Sequence, residues 1–147
     1  MKASRTSSPL AVGSLTVELR FHGDYLAGVK LPARPPATMT RQVLVDLVKR
    51  LQGMPLELPD AAPFTRRVWS LLQEIPFGQT ITYAELALKA GSPRGARAAG
   101  GACAANQLPV IIPCHRVVAS HGLGGYAYGL EWKRTLLELE GGCRCHL

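Results

Sequence analysis

The residues best suited to chemistry lie in the last third of the chain. Cys114 is followed directly by His115, and Glu140 stands on a separate segment. A free thiol has a pKa near about 8.5, so only a few per cent is thiolate at neutral pH. A nucleophilic thiol therefore needs a base, a positive neighbour or a helix N-terminus. His115 is adjacent in sequence, but neighbouring side chains of an extended chain point apart. The two could share a proton through an ordered water or within a bent segment, with Glu140 orienting the imidazole. The alternative for an isolated pair of this kind is a buried cysteine beside a hydrogen-bonded histidine.

The chain that must position them has 147 residues, the length of one domain or of one domain with a small appendage. Hydrophobic residues make up 47% and charged residues 18%, which excludes disorder over the whole chain. No apolar run approaches the roughly 18 residues of a bilayer span. Met1 to Leu15 lacks the apolar stretch of a signal peptide, so the expected location is the cytoplasm. Four cysteines are too few for a disulfide scaffold at this length. The net charge is +7, and no Asp or Glu lies between Glu85 and Glu131, where Lys89, Arg94, Arg97 and Arg116 occur. Such a span suits a polyanionic partner, although a small basic protein can carry one by chance.

Residues 1–12 read as a loose leader. Ser14 to Phe21 alternates apolar and polar, His22-Gly23-Asp24 is a turn signal, and Tyr25 to Leu31 resumes strand character, which predicts a β-hairpin. Thr40 to Leu51 carries apolar residues at helical spacing. Residues 53–63 read as a linker. Phe64 to Glu74 reads as an amphipathic helix closed by Pro76. Thr82 and Glu85 form a capping-box pattern that opens a helix to about Lys89. Gly91 can end that helix, and Ser92-Pro93 supplies an N-cap and a first-turn proline for a second one, a helix-turn-helix. That second helix is rich in Gly and Ala, as close approach to another helix or to a nucleic-acid groove requires. Pro109 to Ile112 reads as a short buried strand or extended segment, and Glu131 to Leu139 as a closing helix. The fold class expected is α/β (α+β), a small N-terminal sheet and helix followed by a mainly helical, winged-helix-like domain. Residues 1–60 form the first unit and 61–147 the second, with a disordered tail from about residue 142.

From Phe64 to Gly141 the chain resembles the O6-alkylguanine-DNA alkyltransferases, the methylated-DNA–protein-cysteine methyltransferases. The resemblance rests on FTRRVW, IPFGQTITYAELA, AGSPRGARAAGGA, Asn106, PCHRVV, GGYAYGL and LLELEG in that order. It implies single-turnover DNA repair, with Cys114 as the alkyl acceptor, His115 deprotonating it through a water and Glu140 orienting His115. Tyr83 would donate to a ring nitrogen of the flipped base. Arg97 would enter the duplex in place of the extruded nucleotide, and Asn106 would brace the turn. The carbonyls of Cys114 and Val117 would receive the exocyclic amine, and Tyr126 and Ala127 would wall the pocket. Thr65, Thr82, Ala96, Gly100 and Arg116 would complete the contacts with substrate and DNA.

The implied partner is double-stranded DNA containing O6-alkylguanine. The expected protein is a monomer with no membrane association and no cofactor, nucleoid-associated, with clustering on DNA left open. Zinc-binding relatives use N-terminal cysteines, and no cysteine precedes Cys103, so no metal is expected. Three positions depart from the family pattern. Cys103 replaces a larger apolar residue. Gln107 follows Asn106 where proline is usual. Tyr128 stands where the loop often has glycine, and its bulk is expected to narrow the pocket or form a lid. Two other readings compete with repair: a non-catalytic lesion-sensing DNA-binding protein, weakened by the presence of Cys114, and a Cys-His hydrolase, which leaves Arg97 and the small-residue helix without a role.

Overall fold

A computed structural model describes residues 5–141. Three antiparallel strands come first: β1 (Arg5–Val12), β2 (Leu15–His22) and β3 (Tyr25–Lys30), in the order β1-β2-β3. Leu15, Val17 and Leu19 of β2 are buried and the residues between them exposed, as the alternation predicts. β1 corrects the expected leader. It pairs with β2 along its whole length, from Arg5 opposite His22 to Val12 opposite Leu15. Its own sequence is polar and contains Pro9, which is tolerated because β1 is an edge strand. The free edge of β2 and a two-residue turn created the strand, and its composition did not announce it. The tail expected from about residue 142, with Cys143, Cys145 and His146, lies outside the described residues.

Helix α1 (Arg41–Gln52) is capped by Thr40, whose hydroxyl accepts from the Val43 N–H at 3.2 Å. Leu44, Leu47 and Leu51 are fully buried along one stripe. Helix α2 (Pro63–Leu72) begins on a proline, and the Trp69 indole donates to Ala102 O at 2.9 Å. That bond ties α2 to the helix-turn-helix, made of α3 (Tyr83–Lys89) and α4 (Ala96–Ala104). Both halves of the Thr82–Glu85 capping box are present. Gly91 adopts a φ of +87°, and the first helix stops there as expected.

Two local expectations fail for stated reasons. Helix α4 does not start at Ser92-Pro93. Ser92 to Gly95 forms a turn closed by Gly95 N–H donating to Ser92 O at 2.8 Å, and the helix starts at Ala96. A side chain on Gly95 would sit 2.5 Å from Ser92 Oγ, so this turn requires glycine. Pro109 to Ile112 is neither strand nor extended. Ile112 N–H donates to Leu108 O at 2.9 Å, and Val110 is held at a φ of +74°. A β-branched residue there stores about 1–3 kcal/mol of strain, which surrounding contacts must hold.

A two-stranded parallel pair brings the distant segments together. β4 (Ile81–Thr82) pairs with β5 (Val117–Val118), in the register Ile81 to Val117. It sets the start of α3 beside the single helical turn Cys114–Arg116. Helix α5 (Leu130–Glu140) closes the chain and ends on Gly141 at a φ of +72°. One connected core runs from the sheet through α1 and α2 to α5. Among the described residues no helix is long and apolar enough to cross a membrane.

Candidate active site

Cys114 lies on the wall of a cavity of about 420 Å³, shared with Tyr83, Gly100, Cys103, Ala104, Gly125, Tyr126 and Ala127. The thiol is 3% exposed. Asn106 Nδ2 donates to Cys114 Sγ at 3.2 Å and to Ile112 O at 2.8 Å, while Asn106 Oδ1 accepts from Leu108 N–H at 2.9 Å. Asn106 thus folds the strained turn and touches the sulfur with the same side chain. Burial pushes the Cys114 thiol above its ordinary pKa, against the Asn106 bond and the positive charge of Lys133. The resting thiol is therefore neutral, and a base is needed to activate it.

Behind the thiol is a buried charged network. His115 Nε2 lies 2.7 Å from Glu140 Oε2. Arg116 donates to both Glu140 oxygens, at 2.8 and 3.0 Å, and to Ile75 O at 2.7 Å. Burial disfavours the charged Glu140, but the His115 and Arg116 hydrogen bonds outweigh it and hold the pKa down at about 2. Burial likewise pulls His115 below its usual value, against Glu140. A neutral His115 donating Nε2–H to Glu140 keeps Nδ1 as an acceptor, and Nδ1 is buried without a partner among the described residues.

Arg116 is a correction. It was expected to contact substrate or DNA, but it is 8% exposed and its guanidinium is committed to Glu140 and Ile75. Arg97 lies on the exposed face of α4, and no hydrogen bond or ion pair involves it among the described residues. Ala96 and Gly100 are half-buried on the same helix, and Gly100 lies against the Tyr83 ring. Thr82 is engaged as the α3 cap, and Thr65 sits half-buried in the first turn of α2, outside the cavity lining. Gly124, at a φ of +76°, lets the loop cross Tyr83 closely, since a Cβ there would meet the ring at 2.8 Å.

The sequence reading missed Lys133. Its ammonium is fully buried and donates to Val117 O at 2.6 Å, Gly125 O at 2.8 Å and Tyr83 Oη at 3.3 Å. A signal existed, because Lys133 falls on the apolar face of α5 with Trp132, Leu136 and Leu137. Burial draws its pKa down to about 8, opposed by the two thiols. Tyr83 donates to Gly125 O at 3.2 Å, and burial raises its pKa to about 12, so it enters any reaction as a proton donor. Burial also raises Cys103 to about 12. Tyr126 packs edge-on to His115, and its buried hydroxyl has no hydrogen-bond partner of good geometry among the described residues. Tyr128 does not line the cavity; its hydroxyl donates to Asn106 O and its ring packs edge-on to Tyr126. Among the described residues no three His, Cys, Asp or Glu side chains gather as metal ligands.

Residues 63–142 match the family described as 6-O-methylguanine DNA methyltransferase, DNA binding domain. A probable methylated-DNA–protein-cysteine methyltransferase of Acanthamoeba polyphaga mimivirus is 49% identical over 88 residues, which is 60% of this chain and 58% of that protein. The methylated-DNA–protein-cysteine methyltransferase of Methanosarcina acetivorans is 42% identical over 106 residues, 71% of this chain and 68% of the relative. The structure of a Mycobacterium tuberculosis OGT in complex with DNA superposes with a TM-score of 0.71 at 32% identity, over 92% of this chain and 91% of that one. The matching segment thus spans little more than half of the viral relative's length but nearly all of the mycobacterial structure. With its matched segment covering the helix-turn-helix, the turn that bears Cys114 and the closing helix, this chain belongs to the 6-O-methylguanine DNA methyltransferase family.

Proposed function

We propose that the protein repairs duplex DNA by direct reversal, flipping out O6-alkylguanine, chiefly O6-methylguanine, and transferring the alkyl group to Cys114. The observation that carries this reading is a buried thiol on a cavity wall, backed by the hydrogen-bonded series His115, Glu140 and Arg116. His115 Nδ1 takes the thiol proton through a water, and ionised Glu140 stabilises the imidazolium that results. Lys133 favours the thiolate through its charge. The thiolate attacks the alkyl carbon, a C–S bond forms and the C–O6 bond breaks. Tyr83 donates to a ring nitrogen of the departing guanine. The carbonyls of Cys114 and Val117 receive the exocyclic amine, and Tyr126 and Ala127 wall the base. The product is a thioether with no hydrolytic exit, so each molecule acts once.

Extruding a base costs a few kcal/mol, and an arginine filling the gap offsets part of it. Arg97 is exposed on α4 and unpaired among the described residues, and Ala96 and Gly100 give that helix the thin face a minor groove about 6 Å wide requires. A relative of the same fold is held on DNA, which supports duplex DNA as the partner. Residues 61–147 act as the DNA-binding and acceptor unit, and residues 1–60 as a shortened unit packed against it. The protein acts as a monomer, without a cofactor, on the DNA of the nucleoid.

Intact mass after mixing with an O6-methylguanine oligonucleotide tests the reading. One methyl group per molecule, mapped to Cys114 and absent in Cys114→Ala, is expected. Methyl uptake by Cys114→Ala would identify another acceptor. An unchanged mass with retained binding would make the protein a lesion sensor.

A further inference from the structure

Two of the three departures from the family pattern meet in space. Gln107 replaces the usual proline after Asn106, and Tyr128 replaces a loop glycine. The Tyr128 hydroxyl donates to Asn106 O. On the other side, Arg20 of β2 donates to Gln107 Oε1 and, at 3.1 Å, to Ala27 O, while Val29 N–H of β3 donates to Gln107 O at 2.9 Å. The Arg20 guanidinium lies over Gly28, where a Cβ would come within 2.7 Å of Nη2. The Asn106–Gln107 segment is thus held at Gln107 by the N-terminal sheet and at Asn106 O by the Gly122–Gly129 loop, while the Asn106 side chain holds Cys114 Sγ. Proline at 107 would have restricted this turn covalently, fixing its own φ and keeping Asn106 extended. Gln107 gives no such restriction, so contacts must supply it.

We propose that Arg20, Gln107 and Tyr128 form a latch that positions Asn106 on Cys114 and thereby sets the reactivity of the thiol. All three are positioning residues, since none of them lines the cavity. The latch gives the N-terminal sheet a part in the chemistry, although it contributes no group to the cavity. It also assigns Tyr128 a place as a strut between the loop and the acceptor turn, instead of a lid over the pocket. The inference rests on Cys114 being the alkyl acceptor.

The test is the pH profile of Cys114 in the full chain, read two ways. One is the rate of iodoacetamide alkylation, assigned to Cys114 by peptide mass. The other is methyl transfer from an O6-methylguanine oligonucleotide. Tyr128→Phe, Arg20→Met and Gly28→Ala are each expected to move the profile to higher pH and slow both reactions at neutral pH about three- to tenfold, the size of one ordinary hydrogen bond. Gly28→Ala removes no group from the latch and only displaces Arg20. Adding Gln107→Pro to Arg20→Met is expected to restore the profile, because the ring replaces the lost restraint and the Gln107 N–H takes part in none of these bonds. Unchanged profiles in the three single variants would overturn the latch, as would a loss that the proline does not relieve. A merely structural role would lower the melting temperature and leave the profile where it is. If wild-type protein takes up no methyl group, the acceptor reading fails, while the iodoacetamide profile still judges the latch.

Discussion

On the α5 side of the cavity, Glu140, His115, Arg116 and Lys133 are all buried, and each is hydrogen-bonded to another of them or to a backbone carbonyl. On the α4 side, Arg97 is exposed and makes no hydrogen bond or ion pair among the described residues. The first arrangement is completed during folding. The second leaves its guanidinium open to solvent. On the proposed function, chemistry and recognition are therefore separable. Damage to the α5 side should cost stability and reactivity together, whereas damage to α4 should cost only work on duplex DNA.

The sharpest way to break that contrast is Glu140→Leu. It strands the buried Arg116 guanidinium, and breaking such a pair costs about 3–5 kcal/mol. Urea unfolding should register a loss of that size. A loss below about 1 kcal/mol would mean that the network is not what holds the Cys114 turn.

Acid should act on the same side more gradually. Glu140 has a folded pKa near 2, below its unfolded value, so its contribution is present above about pH 4.3 and is lost as pH falls toward about 2. The shift corresponds to roughly 3 kcal/mol. His115, whose pKa burial lowers, adds a loss of the same sign as pH falls below about 6.5. Unfolding midpoints measured from pH 7 downward should fall in wild type, and less steeply in Glu140→Gln. Equal slopes would remove Glu140 as the cause.

Arg97→Ala sharpens the comparison from the other side. Stability should stay within about 0.5 kcal/mol of wild type, as for an exposed surface residue. Methyl transfer from a duplex should slow roughly 10- to 100-fold, while transfer from the free O6-methylguanine base is unchanged. Equal losses on both substrates would place Arg97 in the chemistry. The smallest effect belongs to Lys89 and Arg94. Replacing either by Gln should lower the slope of log affinity against log salt by about one. An unchanged slope would take that residue off the DNA.

Much of the site was legible because its grammar is local. The capping box at Thr82 and Glu85 depends on a spacing of three residues, and the helix it predicts is present. The pairing of His115 with Glu140 followed from the family resemblance, and the structure brings the two within 2.7 Å. Arg116 was misread because charge suggests exposure, and only packing shows that a guanidinium has been paired inside. Lys133 was overlooked for the converse reason: a lysine on an apolar helix face reads as a flaw in the stripe until the carbonyls it reaches are known.

By itself the sequence determined the hairpin of β2 and β3, the helical stripes and the helix-turn-helix, and it singled out Cys114 and His115 as the candidate pair. These rest on periodicity, caps and motif order, all carried by residues close along the chain. Only the tertiary structure decided that residues 5–12 form a strand, since β1 exists through the open edge of β2. It also decided that Pro109 to Ile112 curls into a strained turn, because Asn106 must satisfy Leu108 N–H and Ile112 O at once. The partners of Arg116, Lys133 and Tyr128 were fixed there too. Each lies 8 to 50 residues from at least one group it bonds, and hydrogen bonding over such separations is settled by which buried groups would otherwise go unpaired.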